Sequence, residues 1–218
     1  MFSAGFTTFI FVTAIFGTDF SLVSLLVEYK GVVVFFHAFA AAIGVGAATV
    51  TDIFFFKYLK DYKISESEHK TMETLSGVIW VALGLLVLTG IGLFVPNSET
   101  LLESSKFLTK VVAVLVLILN GIMLNLLVSP KLMEITFGEE HHPMKGELHF
   151  MRKLAFALGA ISISSWYVIF ILGSLKSIPV SVGTGISLYV LLLVLAIVGS
   201  QAFDRYMIYK RKNDLNNK

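Results

Sequence analysis

Few side chains in this sequence could carry chemistry, and those that could sit inside apolar runs, where a polar group is costly and therefore informative. His37 is followed by Ala41, Gly44, Ala48 and Asp52, at intervals of four, three, four and four. Those intervals place all five along one stripe of a helix. An imidazole above a groove of small side chains can seat the flat face of a tetrapyrrole such as haem b, with His37 as the axial metal ligand. The same groove equally lets a second helix approach closely, with His37 hydrogen-bonded across the contact. Asp52 is fifteen residues from His37, about 22 Å along a helix axis at 1.5 Å per residue, so the two belong to different sites.

Three further polar residues lie in one later apolar run: Lys110, Asn120 and Asn125. Lys110 falls at the depth of His37, where it either extends to the headgroups or stands as a cation beside the imidazole, able to hold a ligand carboxylate. Asn120 and Asn125 suit interhelical hydrogen bonds or a solute pathway. Gly159, Trp166 and Gly173 recur every seven residues, flanked by Ser162 and Ser165, as a packing seam or a cofactor face; Trp80 and Thr89 add to the same inventory. Between Gly138 and His149 the chain gathers three histidines and three glutamates, His141, His142, His149, Glu139, Glu140 and Glu147. These are suitable donors for zinc, iron or manganese, although the spacing matches no regular metal motif. No glycine-rich phosphate loop, Gly-x-Ser-x-Gly elbow or His-Glu-x-x-His motif occurs, which leaves phosphoryl transfer and serine or zinc hydrolysis without support.

The elements that must position these residues follow from composition. Of 218 residues, 56% are apolar and only 15% charged. Soluble domains carry about a quarter charged residues, so lipid is the expected solvent. Apolar segments fall at 2–27, 31–56, 74–95, 107–128, 150–175 and 183–203, most of them longer than the roughly 18 residues that cross a bilayer. In lipid, backbone groups are satisfied only in helices or closed barrels, and these runs lack the alternation of barrel strands. The expected fold is an all-α membrane bundle of five or six spanning helices in a single domain. The first segment, interrupted by Asp19, is the least regular and lacks the features of a cleaved signal peptide.

Basic residues set the orientation. Lys57, Lys60, Lys63 and Lys70 follow the second segment; Lys131, Lys145, Arg152 and Lys153 follow the fourth; Arg205, Lys210, Arg211, Lys212 and Lys218 close the chain. The opposite connections hold only Lys30, Lys106, Lys110 and Lys176. The richer side faces the cytoplasm by the positive-inside rule, which puts the C-terminus there, in a bacterial cytoplasmic membrane. A net charge of +2 with no basic stripe excludes a nucleic-acid footprint. Zero cysteines exclude iron–sulfur clusters, thiolate zinc sites and disulfides.

A histidine early in a spanning helix, the acidic stretch Glu66-Ser-Glu68-His-Lys-Thr-Met-Glu73, a helix ending Leu-Thr-Gly90 and a helix opening with Lys110 are together similar to the membrane-bound protoporphyrinogen oxidase of bacterial haem synthesis. The copper-resistance D-type membrane proteins share that helical core. The resemblance covers residues 31–128. It implies a bundle that binds b-type haem or a porphyrin, with His37 matching the family's ligand histidine and Lys110 its lysine. The chain departs from the pattern at Thr51 and Asp52, where the family has a Pro-Arg pair, and at Asn120, where it has a further histidine. Those departures favour a relative of altered function over the oxidase itself.

Three functional classes follow. The first is a haem- or porphyrin-binding membrane protein acting in electron transfer, porphyrin oxidation or haem handling, with a haem-dependent oxidoreductase among its forms. Its site would comprise His37, Ala41, Gly44, Ala48, Lys110 and Asn120. The second is a small transporter or channel for a metal ion or solute, using Asp52, Asn120, Asn125 and the His-rich connection 138–149 as pathway groups. The third is a non-catalytic membrane subunit. The lipid bilayer, a redox partner and further copies of the chain are the partners consistent with them.

Overall fold

The computed structural model describes residues 22–58, 65–130 and 147–216. Most of the first expected segment and most of the His-rich connection lie outside the described residues. Helix α1 (Leu22–Glu28) leads directly into α2 (Lys30–Tyr58), and α3 spans Glu66–Phe94. A 3₁₀ turn (Val95–Asn97) and the short α4 (Ser98–Leu102) connect α3 to α5 (Ser105–Met123). Helix α5 continues through a π turn at Leu124–Val128, after which come α6 (Glu147–Ser174) and α7 (Val182–Asn216). Among the described residues there is no strand, and five helical stretches, 30–55, 66–102, 105–128, 150–174 and 182–210, are long and apolar enough to cross a membrane. The protein is an all-α helical membrane bundle.

Helix ends follow local chemistry. The Ser65 hydroxyl accepts the Glu68 N–H while the Glu68 carboxylate accepts the Ser65 N–H, a reciprocal capping box that starts α3 eight residues before its apolar run begins. Ser104 caps α5 through the Phe107 N–H. Pro96 sits in the 3₁₀ turn, where the missing N–H breaks the α ladder. In the π turn the Ser129 N–H donates to the Leu124 carbonyl, five residues back. Helix α7 runs well past residue 203 because its polar C-terminal turns remain helical outside the apolar stretch.

Helix α2 packs along α3 and α6, and α6 packs in turn along α5 and α7. The central core is Ala40, Leu83, Leu86, Ala113, Leu117, Trp166, Ile169 and Tyr189, with a smaller cluster of Val128, Ala155 and Leu158 toward one end. Outward faces are apolar: Val81, Leu88 and Leu126 are each about 70% exposed. A belt of that kind suits lipid, against which the hydrophobic effect exerts no penalty.

Cross-helix contacts define two ends. At one, His37 meets Thr89 and the Lys106 ammonium donates to the Leu175 carbonyl at 2.8 Å. At the other, which carries Lys57, Arg152 and Arg205 and is called the basic end here, Arg152 Nε donates to the Asp204 carboxylate at 2.6 Å and the Gln201 amide to the Lys153 carbonyl at 3.0 Å. Asp204 is 1% exposed, so this buried ion pair ties α6 to α7 at the basic end.

Candidate functional site

The His37 end is tightly packed. The imidazole Nδ1 lies 2.9 Å from the Thr89 hydroxyl oxygen. Thr89 has one hydroxyl proton, which it gives to the Leu85 carbonyl at 2.6 Å, so its oxygen accepts from His37. The network therefore assigns the proton of a neutral imidazole to Nδ1 and leaves Nε2 as the nitrogen with a free lone pair. Gly90 lies beside the ring, and a Cβ there would make ordinary van der Waals contact with the imidazole Cε1 at 3.5 Å. The Leu-Thr-Gly90 stretch lies inside α3, which continues to Phe94, and it meets His37 through Thr89. Lys110 lies within Coulombic range of His37 and is half-buried.

Below His37 the stripe is filled. The indole of Trp166, fully buried on α6, lies directly on Gly44, and a methyl group there would collide with it. Ala41 is half-buried against the same core and Ala48 is 4% exposed. His37 therefore offers a ligand nitrogen, while the flat seat beneath it holds an indole. Trp80 on α3 repeats the device, its ring 3.2 Å from where Gly121 on α5 would carry a Cβ. Of the recurring trio on α6, Gly159 and Trp166 face α2, and Gly173 has nothing within 4 Å of an added Cβ.

Toward the basic end the four helices α2, α3, α5 and α6 part around a cavity of about 480 Å³. Its polar lining comes from Thr51 and Asp52 on α2, His69, Glu73 and Ser76 on α3, Asn125 in the π turn and Ser162 on α6. Trp80, Leu83, Leu117 and Trp166 form apolar walls. The Ser76 hydroxyl donates to Asn125 Oδ1 at 3.3 Å, joining α3 to the π turn. Asp52 is half-buried, with Oδ1 3.8 Å from the position a Cβ of Gly159 would take. No hydrogen bond or ion pair holds its carboxylate among the described residues. Glu73 and Asn125 are exposed.

Of the residues singled out in the sequence, the cavity brings together Asp52, Asn125, Ala48, Trp80, Ser162, Gly159 and Trp166. It includes neither His37, Lys110 nor Asn120. Asn120 is 3% exposed and donates to the Leu158 carbonyl at 3.0 Å, which ties α5 to α6 and leaves its own carbonyl oxygen without a partner. Ser165 serves α7, with its hydroxyl 2.8 Å from that of Tyr189. Sequence reasoning passed over Glu73 and Ser76 as site residues. Their signal was present, because Glu73, Ser76, Trp80 and Leu83 recur at helical spacing on one face of α3. Among the described residues no group of three His, Cys, Asp or Glu side chains is placed to hold a metal ion. Comparison with protein-family models, with curated proteins and with solved structures returns no match for this chain.

Proposed function

We propose that this membrane protein takes up a small solute in the Asp52 cavity and carries it across the bilayer, with the basic end facing the cytoplasm. The observation that supports this reading is the cavity itself: four spanning helices part around a carboxylate that has no partner among the described residues. Ionisable groups inside a bundle mark solute or ion pathways when no internal partner neutralises them. A π turn in the wall adds support, since such turns concentrate at functional sites. The test is uptake of radiolabelled amines, amino acids and sugars by proteoliposomes. At least one solute is expected to enter faster than into empty liposomes and to lose that advantage in Asp52→Asn. Equal rates for every solute with and without protein would contradict the proposal.

A second reading keeps b-type haem at His37, supported by the Thr89 hydroxyl that orients the ring and leaves Nε2 open. Haem there would supply one-electron chemistry, and it would lie elsewhere than on Gly44, which Trp166 covers. An optical spectrum of the purified protein, oxidised and reduced, after expression with ample haem decides it. A near-stoichiometric b-type signal lost in His37→Ala supports the reading, and colourless folded protein removes it.

A further inference from the structure

The lining of the cavity is specific about charge and shape. Asp52 and Glu73 supply two carboxylates, and among the described residues no Lys or Arg lines it. An unpartnered carboxylate in a low-dielectric interior is tolerable only when a proton or a cation neutralises it. Among the described residues Asp52, Glu73 and His69 are not grouped closely enough to hold a metal ion together. The walls are aromatic and aliphatic. Both tryptophans of the chain, Trp80 and Trp166, face the same space. Each is fixed by a glycine on the helix it packs against. Indole faces attract cations, most strongly where water is excluded.

We propose that the cavity is selective for organic monocations, with an ammonium-type head at Asp52 and an apolar body against the wall that holds Trp80 and Trp166. The proposal rests on the reading of the cavity as a solute site and specifies its ligand class. A volume of about 480 Å³ falls within the range of small-molecule sites and accommodates a compact ring with a quaternary head. Glu73, exposed in the lining, raises the local concentration of cations, and Asp52 completes the selection deeper in.

The chain reports on this cavity by itself, since its whole tryptophan emission comes from two lining residues. The experiment is quenching of that emission, in the full-length protein in detergent, by three piperidine nitroxides that share one ring and differ in charge: the 4-trimethylammonium cation, the neutral 4-hydroxy compound and the 4-carboxylate anion. Saturable quenching by the cation is expected at a concentration about tenfold below that of the neutral compound, with none by the anion. Asp52→Asn, nearly isosteric, should bring the cation to within about twofold of the neutral compound, the remainder being the contribution of Glu73. Glu73→Gln, at an exposed position, should weaken the cation about twofold and lose that effect in high salt. Equal saturation by cation and neutral compound in the unaltered protein would overturn charge selectivity while leaving solute binding intact. Absence of saturable quenching by all three would overturn both.

Discussion

Helix α2 carries one ionisable side chain near each end of its span, and the bundle treats them in opposite ways. At His37 the bundle supplies a partner and fills the groove: Thr89 accepts the ring's proton, and Trp166 occupies the stripe below. At Asp52 the neighbouring helices withdraw, Gly159 removes a side chain beside the carboxylate, and no partner is supplied among the described residues. A buried polar group that the fold satisfies belongs to packing first. One that the fold leaves unsatisfied beside open space reserves its interaction for something else. The same residue chemistry, read without its surroundings, ranks the two ends the other way, because a histidine over small residues suggests a cofactor more strongly than a lone aspartate does.

Substitutions that exchange the two treatments should break the contrast. The largest functional effect is expected from Asp52→Asn, which should lower solute uptake about tenfold, the weight of one charged contact. Its thermal unfolding midpoint should stay level or rise, because an unpaired charge leaves the interior. Gly44→Ala should do the reverse, destabilising the detergent-solubilised protein by about 1–3 kcal/mol through collision with Trp166. The double variant with Trp166→Leu should recover part of that loss, and a non-additive cycle is the check. Thr89→Val strands the His37 Nδ1–H and should cost about 1–2 kcal/mol with uptake unchanged. Asn125→Ala removes a long, exposed 3.3 Å contact, and its stability should change by no more than about 0.5 kcal/mol while solute affinity shifts.

The helical class and the spans were legible because lipid imposes a length and a composition that hydropathy reads directly. The separation of His37 from Asp52 was equally legible, from helical rise alone. Boundaries were harder where capping overrode hydropathy: the Ser65–Glu68 box brings the polar stretch 66–73 into α3, and with it Glu73 and His69. Periodicity placed Gly44 and Trp166 each on a helix face, but gave no means of pairing them, since which faces meet depends on the packing of helices far apart in sequence. The cavity was illegible for the same reason. Its wall is drawn from four helices, and one contributor, Asn125, sits in a π turn that shifts the register of every residue after it. The resemblance to haem-binding membrane proteins drew attention to His37, Thr89 and Lys110, which do gather at one end. It carried no information about the space around Asp52, where the chain departs from that pattern.

The absence of cysteine makes the central contrast directly measurable. Ser162→Cys places a single thiol in the cavity wall, and Ala40→Cys places one in the closed core nearer His37, where the native residue has no exposed surface. Both proteins are reconstituted in vesicles and treated with a membrane-impermeant, positively charged thiol reagent applied at the basic face or at the opposite face. Fast modification of the cysteine at 162 from the basic face alone, with the cysteine at 40 silent from both, is the expected result. A cysteine at 162 that resists the reagent from both faces, or reacts no faster than the one at 40, would contradict an Asp52 cavity open to solute.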